Sequence, residues 1–243
     1  MAFSNCYQDA TRAASYAQLE FANTYYLAFR DLPEILAKHV TGKRALDFGC
    51  GTGRSTRFAR GLGFEVTGVD IAPEMIARAR DLDPGGDYRL LKGDDLSEFP
   101  PSACDLVLSL FTFDNIPTFE TKVHLFHQLA GLLNAAGKIV SVVSSPETYI
   151  HEWASFSTRD YPDNRHARSG DTVRIVTTDF ADRRPAEDIL WTDESYGEVY
   201  AHAGLRPVAT YKPLAKGNEP YAWVSETEIA PWVIYVLERQ ESA

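Results

Sequence analysis

RALDFGCGTGRSTRFAR, Arg44 to Arg60, decides how this chain is read. An apolar run of strand length, ALDF, leads into Gly49, Gly51 and Gly53 at alternate positions, and a helical pattern follows at once. Glycine adopts backbone conformations closed to other residues and leaves the main chain bare to a ligand. A loop so placed sits at the carboxyl edge of a first strand, where open α/β sheets bind ligands. The helix that opens there offers free N–H groups and a partial positive charge. The dinucleotide fingerprint G-x-G-x-x-G does not fit, because its third glycine falls on Arg54 in one register and on Thr56 in the other. The pattern is instead Asp47-x-Gly49-x-Gly51-x-Gly53. An acidic residue before the turn suits a cationic ligand group better than a pyrophosphate.

Outward from this stretch, strand and helix alternate. FEVTGVD (64–70), YRLLKGD (88–94), CDLVLSLF (104–111) and GKIVSVVSS (137–145) read as strands, and APEMIARARDL (72–82) and residues 119–133 as helices. That rhythm predicts right-handed crossovers and a parallel sheet. The near-continuous apolar runs predict strands covered on both faces by helices. The first forty residues read as helical: Ala13, Ala14, Ala17, Phe21 and Tyr25 fall near one face, and Pro33 opens a second helix through Ile35 and Leu36. After Ser145 the pattern becomes aromatic and irregular, with one alternating segment, TVRIVTTDF. A last helix (191–205) and two strands (206–214 and 229–238) complete the chain. One domain is expected: an N-terminal helical lid over 1–41, a core over 42–145, an insert over 146–190, and a closing helix and strands over 191–243.

The chain has 243 residues and a formal net charge of −10, which opposes bulk electrostatic binding to nucleic acid. A loose basic group, Arg159, Arg165, Arg168 and Arg174, is diluted by Asp160, Asp163 and Asp171. No window approaches the roughly 18 apolar residues of a membrane span, and the N-terminus reads as neither signal peptide nor anchor. Cys6, Cys50 and Cys104 are odd in number and far apart, so neither a disulfide framework nor a zinc site is expected. His124 and His127 have no carboxylate partner at metal-ligand spacing. A cytoplasmic protein without a metal is the expectation, as monomer or homodimer.

Four segments resemble the class I S-adenosylmethionine-dependent methyltransferases of small molecules: LDFGCGTG, GVDIAPEMI, KGDDLSEFP and CDLVLSLFTFDNI. Their joint spacing carries the resemblance, with Asp70 at 23 residues beyond Asp47 and Asp94 at 24 beyond that. The resemblance implies a Rossmann-like, doubly wound, mostly parallel seven-stranded sheet and S-adenosyl-L-methionine as cofactor. It implies that Gly49, Gly51 and Gly53 pass close to the methionine part and that Asp47 meets its amino group. Asp70 would accept both ribose hydroxyls, Ile71 and Met75 would flank the adenine, and Asp94 would accept from the adenine amino group. Asp95 and Leu96 would lie beside the ring. Ser109, Leu110 and Phe111 would sit beneath the reactive methyl, and Tyr16 would close over the cofactor. Asp105 reads as a structural strand-entry residue.

The acceptor must then lie over the carboxyl edge. Candidate walls are Tyr7, Tyr16, Tyr25 and Tyr26, then Phe111, Phe113 and Asn115, then Tyr149, Trp153, Phe156 and Tyr161 of the insert. His151 is the candidate general base, since imidazole titrates near neutral pH. Trp232 reads as core. Strand four continues as SLFTFDN and lacks the Pro-Pro run of exocyclic-amine methylating enzymes, which points away from DNA. The expected reaction is methyl transfer to O, N or C of a small, aromatic-compatible acceptor. The alternatives are aminopropyl transfer on the same fold and a cofactor-binding protein without catalysis.

Overall fold

The structure is a computed structural model, and it describes residues 20–240. The positions Tyr7, Ala13, Ala14, Tyr16 and Ala17 lie outside the described residues. Two short helices, α1 (Thr24–Arg30) and α2 (Leu32–His39), precede the strand β1 (Arg44–Phe48). There follow α3 (Arg54–Gly61), β2 (Glu65–Asp70), α4 (Pro73–Leu82), β3 (Asp87–Leu90), β4 (Cys104–Leu110), α5 (Phe119–Leu132) and β5 (Leu133–Ser144). Then come β6 (Phe156–Ser157), β7 (Thr172–Thr177), β8 (Ala186–Ile189), α6 (Asp193–His202), β9 (Leu205–Tyr211) and β10 (Trp232–Arg239).

Seven strands form one sheet in the order β3-β2-β1-β4-β5-β10-β9, and β10 alone runs antiparallel to its neighbours. This is the mostly parallel, doubly wound α/β sheet that the alternation predicted. Successive β4 residues show why both faces are apolar: Leu106 and Leu108 face one core and Val107 the other. Phe58 and Ala59 of α3 pack on the first face, and Leu125, Phe126 and Leu129 of α5 on the second. Asp105 holds the strand entry. Its carboxylate accepts from Lys43 N, Arg44 N and the Arg44 guanidinium, which ties the start of β1 to β4.

The insert is more ordered than its irregular sequence implied. β6, β7 and β8 make a small antiparallel sheet, and β8 packs against a 3₁₀ turn, Phe113–Asn115, that follows β4. β6 and β8 escaped the sequence reading because two- and four-residue strands carry too little alternation to register.

A buried carboxylate joins α1, the insert and the chain before β10. Glu226 is fully buried and accepts from Thr24 Oγ1 at 2.6 Å, Ala154 N at 2.7 Å, Val224 N at 2.8 Å and Ser225 N at 3.1 Å. Trp232 Nε1 donates to Thr24 O at 2.8 Å, so β10 also holds α1. Glu226→Ala strands these donors in the interior. We expect a loss of about 3 kcal/mol of stability, read as a lower urea midpoint, and faster amide exchange in α1. An unchanged midpoint would show that the junction is not held by this group.

Candidate active site

The strand order reverses beside β1: α3 leaves β1 toward one face and α5 follows β4 on the other. Open α/β sheets form their ligand crevice at such a point, and a cavity of about 350 Å³ lies there. Its walls come from the ends of three neighbouring strands: Phe48, Gly49 and Gly51 after β1, Asp70 to Ala72 after β2, and Leu110 to Thr112 after β4. Met75, Gly93, Asp94 and Asn115 complete much of the lining.

The glycines do distinct things. Gly49 has φ +73°, and a Cβ there would lie 2.2 Å from Thr112 Oγ1. Gly51 has φ +52° and faces open space, so any side chain would extend toward the cavity. Gly53 has φ +80°, lies outside the lining, and gives room to the Tyr88 ring.

Three carboxylates surround this loop with different partners. Asp70 Oδ2 accepts from Gly51 N and Oδ1 from Ala72 N, both at 2.9 Å. Each oxygen keeps a lone pair for a ligand hydroxyl. Burial raises its pKa, against its backbone hydrogen bonds. Asp47 is wholly buried; its Oδ2 accepts from Ser55 Oγ at 2.7 Å and Thr56 Oγ1 at 2.6 Å, while Oδ1 has no partner. Burial pushes its pKa up to about 6. Asp94 lines the cavity and stands 3.2 Å from His124 Nε2. The Asp70 carboxylate and the open space at Gly51 fit a nucleoside cofactor, Asp47 with its unpartnered oxygen lies outside the lining, and the ~350 Å³ lies within the roughly 300–1,000 Å³ of small-molecule sites.

Other expected positions fall elsewhere. Asp95 is exposed and accepts from Ser97 N, Leu96 is buried core, and Ser109 is buried within β4. None of them lines the cavity: the turn after β3 directs Gly93 and Asp94 toward it and turns Asp95 and Leu96 away, and Ser109 lies within the strand, short of its end.

Phe111 ends β4 with φ +63°, a strained conformation for a bulky residue. It lines both this cavity and a second one of about 40 Å³, as does Asn115. Tyr25, Asp114, Ser144, Thr148, Phe156, Ile175, Thr177, Ala186, Asp188 and Trp232 line the rest of the second cavity. Asp114 is buried and accepts from Ser144 N at 3.0 Å and Ser144 Oγ at 2.9 Å, which clamps the turn after β4 to the end of β5. Lys122 is fully buried behind that turn and donates to Phe113 O. Burial lowers its pKa, against the charges of Asp114 and Asp188. Tyr149 donates to Asp188 Oδ2 at 3.1 Å.

Of the expected acceptor walls, Phe111, Asn115, Phe156 and Tyr25 meet at this cavity. Phe113 lies beneath it, stacked on Phe126 at 3.8 Å, and Trp153 is buried in the insert with Nε1 donating to Thr148 O. Tyr149 and Tyr161 line a separate outer cleft of about 270 Å³, and Tyr26 packs at a tilt against Tyr221. His151 lines none of these three cavities; its ring bonds Glu147 at 3.0 Å. The sequence pattern did not single out Asp114 or Asp188, since one carboxylate in a turn and one in a short strand carry no spacing signal.

Residues 46–141 match the family model described as a methyltransferase domain. A ubiquinone biosynthesis O-methyltransferase of Pseudomonas aeruginosa is 28% identical over 73% of this chain and 72% of its own. The enzyme of that name from Nitrosococcus oceani is 29% identical over 75% of this chain and 74% of its own. An S-adenosylmethionine-dependent methyltransferase from Clostridium acetobutylicum has the same fold, with a TM-score of 0.65 over 97% of this chain and all of its own, at 14% identity. One from Methanosarcina mazei gives 0.62 over 85% and 98%, at 15% identity. The chain carries a methyltransferase domain, and the comparisons support a class I S-adenosylmethionine-dependent methyltransferase acting on a small molecule, as the four segments implied.

The raised pKa of Asp47 has a sign. A carboxyl with a folded pKa above its unfolded value stabilises the fold while protonated, and that stability is lost as pH rises through about 6. Asp47→Asn removes this ionisation cost. We expect the ligand-free variant to gain about 2 kcal/mol at pH 8 and nothing at pH 4, while its affinity for S-adenosylhomocysteine falls. Thermal melts at the two pH values check this; a lower melting temperature at pH 8 would contradict it.

Proposed function

We propose that the larger cavity holds the cofactor, that a small organic acceptor enters the smaller one, and that methyl transfer takes place where they meet. The supporting observation is that Phe111 and Asn115 belong to both linings. In this reading Asp47 takes the cofactor's amino group, Asp70 its ribose hydroxyls and Asp94 its base. Ile71 and Met75 flank the ring, and Gly49 and Gly51 leave room for the methionine part. When bound, S-adenosylmethionine supplies a methyl carbon made electrophilic by its sulfonium.

The chain's own residues have three tasks: to orient the acceptor, to keep water out, and to take a proton where the acceptor must lose one. Orientation supplies several kcal/mol or more of the barrier. The buried rings of Tyr25, Phe156 and Trp232 exclude water. Proton removal falls to Asp114 rather than His151, because Asp114 faces the acceptor cavity. In this reading α1, α2 and the insert cover the acceptor side of the core, and α6, β9 and β10 complete the sheet. The relatives' names point to oxygen as their acceptor atom; the atom used here is taken up below.

Asp70→Ala tests the cofactor assignment. It removes the acceptor of two backbone N–H groups and of the ribose. We expect calorimetric titration with S-adenosylhomocysteine to show affinity weakened by about 1–3 kcal/mol, with a fold intact by circular dichroism. Parent-like affinity would overturn the assignment of Asp70.

A further inference from the structure

We propose that the second cavity takes a small amine as its ammonium cation, and that the amine nitrogen is the methyl acceptor. This rests on the reading of the larger cavity as the cofactor site.

Four rings box the second cavity. Tyr25 lies 5.7 Å from Phe111, 5.3 Å from Phe156 and 5.8 Å from Trp232, and Trp232 lies 4.8 Å from Phe111 and 5.7 Å from Phe156. Aromatic faces attract a cation, most strongly where water is excluded. Two buried carboxylates, Asp114 and Asp188, complete the lining, which among the described residues contains no basic one. Of the neighbouring cations, Lys122 donates to Phe113 O, and Arg54 donates to Glu20 O with its guanidinium 4.6 Å from the Tyr25 ring and 5.8 Å from the Phe111 ring.

A separate observation points the same way. Asn115 Nδ2 donates to Phe111 O at 3.2 Å, which directs the amide and leaves Oδ1 buried with no partner. An unmet buried acceptor is costly, and this one belongs to a residue that lines both cavities. The polar side chains Asp114, Asp188 and Asn115 thus offer acceptors. An ammonium carries three donors, a phenol one and a carboxylate none. A volume of about 40 Å³ suits a head group of a few atoms, with the remainder of the molecule outside it.

The step balances within these parts. The nitrogen gives one proton to the Asp114 carboxylate, its lone pair forms the new N–C bond, and the C–S electron pair stays on sulfur. Burial pushes the Asp114 pKa up, against its bonds to Ser144 and the charge of Lys122, so it can hold that proton.

The test uses benzylamine, phenol and benzoate, titrated by calorimetry with and without saturating S-adenosylhomocysteine, together with transfer from labelled cofactor. Benzylamine is expected to bind about tenfold or more tightly than phenol and to receive the label on nitrogen. Asp188→Asn and Asn115→Ala should each bring the amine within about threefold of phenol; two variants guard against one failing to fold. Phenol or benzoate binding as well as benzylamine would overturn the proposal. Loss of homocysteine-product binding would instead strike the cofactor reading, and the titrations of ligand-free protein would still report the head-group preference.

Discussion

Everything at the ligand edge depends on the divergence of the chain after β1 and β4. The two strands are neighbours, but their following helices pack on opposite faces of the sheet. The backbone therefore cannot close over the strand ends, and a crevice is unavoidable. The hydrogen bond from Gly51 N to Asp70 Oδ2 holds the glycine loop against the end of β2 on one side. On the other, Asp114 clamps the turn after β4 to Ser144 at the end of β5. Between these two anchors the crevice is kept open.

Unfavourable chemistry lies near the same strand ends. Asp47 is buried with an unpartnered oxygen and Phe111 is held at positive φ. Each would destabilise a site with no ligand to meet. The insert contributes by a different route. It brings Phe156, Ile175, Thr177, Ala186 and Asp188 onto a cavity whose other wall is built from the main sheet and α1. Glu226 holds that assembly together by bonding α1 and the insert at once.

The larger cavity was legible because most of its lining is local. A strand, a glycine turn and a helix follow one another within twenty residues, so the loop's demands on backbone conformation are written directly as Gly49, Gly51 and Gly53. Asp70 and Asp94 come at strand ends, which apolar runs make visible. Asp95 and Leu96 show the limit of that legibility, since a single turn decides which of several adjacent residues faces the cavity.

By itself the sequence determined the parallel α/β sheet, the edge at which the larger cavity opens and the likeness to methyltransferases. These follow from periodicity and from backbone conformations that only certain residues adopt. Tertiary structure alone decided the second cavity. Tyr25, Asp114, Asp188 and Trp232 come from four distant parts of the chain and meet only when α1, the turn after β4, the insert and β10 pack together. It also removed His151 from the linings and made Trp232 both a core residue and a wall. Spacing along a chain carries no record of such meetings, because the contacts that create them are made by burial and not by local pattern.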